Sequence, residues 1–153
     1  MTKNQAFLPI LESINQSDNQ FAMTLCLGNQ HFYINRFEFE AYVQKIMHWL
    51  NVYCYGKNYR KNGKNLIAIG AIQNGDLHNK LHAHLELAYC NDVKRSPQEI
   101  NFFIRKKWYA LLNASGSVMG SLVYFEKTMS NEAYFHYELR EVKPNNTERL
   151  LFL

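Results

Sequence analysis

Apolar residues change their spacing several times along the chain, and each change marks a predicted element. Phe21–Leu27 (Phe-Ala-Met-Thr-Leu-Cys-Leu) is a short apolar run ending at Gly28, which predicts a buried strand. A short extended piece can follow at His31–Ile34. From Glu38 the period becomes helical, with Phe39, Tyr42, Val43, Ile46, Met47, Leu50 and Tyr53 on one stripe, until Gly56 stops it. Leu66–Gln73 and Leu81–Tyr89 are two further strands joined by a connection that begins Asn74-Gly75-Asp76, a hairpin signal. Ser96-Pro97-Gln98-Glu99 holds an N-cap serine, a first-turn proline and a glutamate three residues on. That combination starts a helix, and Ile100, Phe103, Ile104, Trp108, Leu111 and Leu112 continue it. Ser121–Glu126 predicts a strand, and Ser130 caps a last helix that runs to about Val142 before Pro144. A short helix around Pro9–Asn15 is the remaining expectation.

The predicted order is β-α-β-β-α-β-α. Its first six elements fit the ferredoxin-like split βαβ arrangement, an α+β fold whose antiparallel sheet carries two helices on one face. The other face is then available for function, with the C-terminal, tyrosine-bearing helix placed to cover part of it. At 153 residues the chain reads as a single domain, 1–153, with its core at about 21–142.

Composition narrows the class. Hydrophobic residues are 47% and charged residues 20%, which excludes a disordered chain. No apolar run approaches the ~20 residues of a membrane span, and Phe7–Leu11 is too short for a signal-peptide core. Cys26, Cys54 and Cys90 are an odd number without CxxC spacing, which points to a reducing, cytoplasmic setting. Lys and Arg number 17 against 13 Asp and Glu, a formal charge of +4, and aromatics reach 14% with ten tyrosines. That balance permits nucleic-acid binding by phosphate attraction and base stacking.

The candidate chemistry centres on Leu81-His82-Ala83-His84-Leu85-Glu86-Leu87. Strand alternation sends His82, His84 and Glu86 to one face and the leucines and Ala83 to the other. Two imidazoles so spaced can chelate one divalent ion, and the plainer reading is two polar residues on an exposed sheet face. A third ligand can come from Gln73, Glu86 or His78. Strict alternation puts Gln73 with Ile67, Ile69 and Ala71, which reads as the packed face, so a bulge or a strand ending early would be needed to re-aim it. On the last predicted helix, Tyr134, Tyr137 and Arg140 share one side. A phenol there can attack phosphorus and a cation can stabilise the anionic transition state, whereas core packing is the plainer role for such tyrosines. Lys57, Arg60, Lys61 and Lys64, with Tyr59 among them, can grip a single strand or form a solvated loop.

Element order, Gln73…His82-Ala83-His84 and Tyr137-Glu138-Leu139-Arg140 together resemble the HUH (His-hydrophobe-His) single-tyrosine endonucleases. These include rolling-circle replication initiators of plasmids and single-stranded DNA phages, and the related single-tyrosine transposases. The resemblance implies that His82, His84 and Gln73, with Glu86 in reserve, hold Mg²⁺ or Mn²⁺. It implies that Tyr137, with Tyr134 in reserve, attacks single-stranded or hairpin DNA to leave a 5′-phosphotyrosyl link and a free 3′-OH. Arg140 stands where the family motif has lysine, and Gln73 where a carboxylate is commoner. Larger relatives carry an added helicase or second domain, for which 153 residues leave no room, so the chain reads either as a minimal enzyme, which a separate helicase can serve, or as the nuclease domain of something longer. Two further readings stay open. One is a non-catalytic ferredoxin-like nucleic-acid-binding protein derived from such an enzyme. The other is a structural zinc protein using the two histidines and a cysteine.

Overall fold

The computed structural model describes residues 9, 20–28, 34–74, 81–88, 93, 95–112, 122–127 and 150–152. Asn35 fixes the start of the first helix, α1 (Arg36–Tyr55), because its side chain accepts the Glu38 amide proton at 2.9 Å. Phe39, Val43, Ile46, Met47 and Leu50 form the buried stripe of α1. The helix ends at Gly56, whose φ of 88° turns the chain where a side chain would be strained. The second helix, α2 (Pro97–Leu111), begins with the capping box expected from sequence. Ser96 Oγ accepts from the Glu99 amide at 3.1 Å, and Glu99 Oε1 accepts from the Ser96 amide at 3.4 Å.

Five strands form one antiparallel sheet: β1 (Gln20–Cys26), β2 (Ile67–Asn74), β3 (Leu81–Ala88), β4 (Val123–Lys127) and β5 (Leu150–Phe152). Their spatial order is β4-β1-β3-β2-β5. The protein is therefore α+β, with α1 and α2 inserted between strands as β1-α1-β2-β3-α2-β4. The strand β5, which extends the sheet beyond β2, has no counterpart in the elements expected from sequence. The expected helices at Pro9–Asn15, Pro9 itself apart, and at Ser130–Val142 lie outside the described residues.

One sheet face packs on the helices. Phe21, Met23 and Leu25 of β1, Ala68 and Ile72 of β2, and Leu81, Ala83, Leu85 and Leu87 of β3 join the helical stripes in a single core. Trp108 of α2 is fully buried there, edge-on to Phe39, and its indole N–H donates to the Cys26 carbonyl at 2.9 Å. That bond ties α2 to the end of β1. Where β2 and β3 cross this layer, Gly70 lets Leu85 approach: a Cβ at position 70 would meet the His84 carbonyl oxygen and Leu85 Cδ2. Among the described residues no helix is long and apolar enough to cross a membrane.

Candidate functional site

The second sheet face is assembled from cross-strand rows. Cys26, His82 and Gln73 are aligned across β1, β3 and β2, and Tyr124, Thr24, His84 and Ala71 form the adjacent row across β4, β1, β3 and β2. Glu126, Ala22, Glu86 and Ile69 make up the third. Neighbouring strands lie about 4.8 Å apart, so Gln73 and Cys26 flank His82 closely. Gln73 thus shares the histidine face in regular pairing, and neither a bulge nor an early strand end is needed to bring it there. Ile69 and Ala71 misled the alternation argument because they too are buried on this face, away from the helices.

The two imidazoles meet edge to face, with ring centroids 4.8 Å apart. Both side chains are half-buried. Burial, followed by the proximity of His82, lowers the His84 pKa from 6.5 to about 4, so the ring is neutral at physiological pH. Thr24 Oγ1 lies 3.0 Å from His84 Nδ1. When Nδ1–H donates to that hydroxyl, Nε2 keeps the lone pair that a metal requires. Sequence reasoning passed over Thr24. Its signal is a single hydroxyl residue in the middle of the apolar run Phe21–Leu27.

Glu86 lies on the same face, but at its buried end, with 1% exposure. Among the described residues, no three His, Cys, Asp or Glu side chains come together in a group that could hold a metal. The candidate donors that the strand register does bring together are the two imidazoles and the neighbouring Gln73 carboxamide, two nitrogen ligands and one oxygen. Among the described residues, Cys26, opposite His82, is the cysteine closest in register to a zinc role; burial pushes its thiol up to about 11, which keeps it protonated. His78, Cys90, Tyr134, Tyr137 and Arg140 lie outside the described residues.

Tyr124 is a further residue that sequence reasoning left in the middle of a strand. It is 55% exposed on the histidine face, two strands from His84. A cavity of about 220 Å³ beside it is bordered by Thr24, Arg105 and Glu126 among others.

The basic segment sits elsewhere. It connects α1 to β2 and enters the sheet at Ile67, whereas Gln73 lies six residues on, about 20 Å along the strand. Lys57, Arg60, Lys61 and Lys64 are exposed there. Tyr59, expected to stack on a base, is instead 5% exposed, and its hydroxyl is engaged by His48 Nδ1 at 3.0 Å and Arg60 Nε at 3.1 Å. Trp49 is half-buried, flanked by the ammonium groups of Lys45 and Lys107 at 5.4 Å from its ring. No protein-family model, curated protein or solved structure matches this chain.

Proposed function

We propose that the chain is a metal-dependent endonuclease that nicks and rejoins single-stranded DNA through a 5′-phosphotyrosyl intermediate, most simply a rolling-circle replication initiator. The carrying observation is that Gln73, His82 and His84 share one face of two paired strands, with His84 held neutral. The β4-β1-β3-β2 order, with two intervening helices, supports a ferredoxin-like scaffold for it, to which β5 is an addition.

Mg²⁺ or Mn²⁺ held by His82, His84 and Gln73 would supply Lewis-acid polarisation of the scissile phosphate. Thr24 Oγ1, 3.0 Å from His84 Nδ1, would hold the tautomer that can ligate by accepting the Nδ1 proton. The Tyr137 oxygen gives up its proton and bonds to phosphorus; the P–O3′ bond breaks, and the departing 3′-oxygen takes up a proton. Arg140 neutralises charge on the equatorial oxygens. Reversal of the same step rejoins strands. Tyr124 offers an exposed ring on which a base beside the cleavage point can stack.

The test is incubation of the protein with labelled single-stranded oligonucleotides and Mn²⁺, followed by denaturing electrophoresis. A covalent protein–DNA adduct is expected with the wild type and with Tyr134→Phe, and none with Tyr137→Phe. No adduct across a broad oligonucleotide pool, or one that survives in Tyr137→Phe, overturns the assignment.

A further inference from the structure

The longest acid-free stretch of the chain runs from Ala41 to Gly75. It holds Lys45, Lys57, Arg60, Lys61 and Lys64 and no Asp or Glu. Its positive charge is therefore not neutralised by neighbours in sequence, and the fold turns the stretch back on itself. Between the C-terminal half of α1 and the loop that follows lies a cavity of about 440 Å³. Its buried lining is formed by Met47, Leu66, Asn51 and Tyr59. Gln44, His48, Arg60 and Asn65 are among the residues at its walls.

This lining is held in place by hydrogen bonds that fix the groups around it. Asn51 accepts from the Leu66 amide at 2.7 Å and donates to the Met47 carbonyl at 3.0 Å, which pins the far end of the loop to the helix. The Tyr59 hydroxyl accepts from Arg60 Nε at 3.1 Å. The same hydroxyl lies 3.0 Å from His48 Nδ1, which links the helix to the loop. Tyr59 thereby holds an imidazole from the helix and a guanidinium from the loop at the same cavity. Arg60 uses Nε on tyrosine, and its two terminal nitrogens remain the fork suited to phosphate oxygens.

We infer that this cavity binds the phosphate of a nucleotide, with Arg60 and His48 as the principal contacts. The chemistry is the same whether the nucleotide is free or belongs to a DNA strand. The volume falls in the range of ordinary small-ligand pockets, roughly 300–1,000 Å³. The site stands apart from the histidine pair, and its existence does not depend on nuclease activity.

The test is binding to the full chain in EDTA, so that metal-dependent contacts at His82 and His84 are excluded. Radiolabelled dAMP is measured by equilibrium dialysis and a fluorescein-labelled single-stranded octanucleotide by anisotropy. Wild type is compared with Arg60→Gln, His48→Ala and Lys106→Gln, the last removing an equal charge at an exposed site on α2. Arg60→Gln is expected to weaken binding about tenfold or more, the loss of one charged hydrogen-bonding contact, while Lys106→Gln changes it less than twofold. Saturable dAMP binding that depends on Arg60 assigns the pocket to free nucleotides. Arg60-dependent binding of the octanucleotide alone assigns it to strand phosphates. Absence of saturable binding of both probes, or equal losses in Arg60→Gln and Lys106→Gln, overturns the inference. Circular dichroism melting of each variant identifies any loss that comes from unfolding, and His48→Ala with an unchanged melt serves as the second reading of the same site.

Discussion

Replacing Thr24 with valine removes one hydroxyl while keeping the side-chain shape, so the packing of β1 is retained and the contact to His84 Nδ1 at 3.0 Å is lost. Two costs follow. Without metal, a half-buried imidazole nitrogen loses its partner, which costs about 1 kcal/mol of stability because water can still reach it. With metal, the loss falls on ligand orientation and tautomer. Hydrogen bonds of this kind to a ligating histidine are worth roughly 10- to 100-fold in metal affinity. The half-exposed position of His84 puts the expectation at the lower end, about tenfold. Isothermal titration with Mn²⁺ is the assay, on wild type, Thr24→Val, Thr24→Ser and His84→Ala, with urea denaturation in EDTA beside it. Serine should restore most of the affinity, since it restores the hydroxyl. Mn²⁺ affinity within twofold of wild type in Thr24→Val, alongside a His84→Ala variant that no longer binds, would refute the argument that Thr24 sets the ligand.

Three other outcomes follow from the same geometry. Gly70→Ala should lose about 3 kcal/mol in urea denaturation, since its Cβ would sit 2.5 Å from Leu85 Cδ2 and against the His84 carbonyl oxygen, a backbone atom that cannot swing away; a loss below ~1 kcal/mol would show the strands can part there. His84 is neutral in the folded state and protonates below a pKa of about 4, while the unfolded chain protonates near 6.5. The unfolded state thus binds the extra proton first, and stability present above pH 6.5 declines as pH falls towards 4, by about 1–2 kcal/mol after allowance for solvent screening. In EDTA, wild type should lose that much more than His84→Gln between pH 7 and pH 4, and parallel curves would contradict it. Tyr124→Ala should weaken single-stranded DNA binding about tenfold by anisotropy, the worth of one stacked base, with a melting temperature near that of wild type; unchanged affinity would remove Tyr124 from the DNA path.

Local signals in the sequence translated directly into structure. The Ser96, Pro97 and Glu99 cap is realised atom for atom because its partners are three residues apart, and no distant contact has to agree. The α1 stripe is equally local, and Phe39, Val43, Ile46, Met47 and Leu50 are buried as their spacing requires. Tyr59 shows where this stops. Nothing in Lys57–Lys64 distinguishes a buried tyrosine from an exposed one, since the deciding partner, His48, lies on the preceding helix. The three residues of β5 are too few to show a period at all.

Gln73 is the more instructive case, because the period was right and the conclusion drawn from it was wrong. Alternation on β2 correctly groups Gln73 with Ile69 and Ala71, but apolar neighbours identify the helix-packed face only when the other face is wet. Here both are buried, and burial on β2 does not say which side is which. Register decides it. A slip of two residues between β2 and β3 would leave every side chain on its own face and still take Gln73 away from His82. The pairing is pinned by Gly70 opposite Leu85, three residues from Gln73 on one strand and three from His82 on the other. Ala68 or Ile72 in that position would bring a Cβ to the place where position 70 has room for none. The residue that lets the strands approach on the helix side is therefore the one that sets Gln73 beside His82 on the other, and a change at Gly70 should disturb metal binding as well as stability.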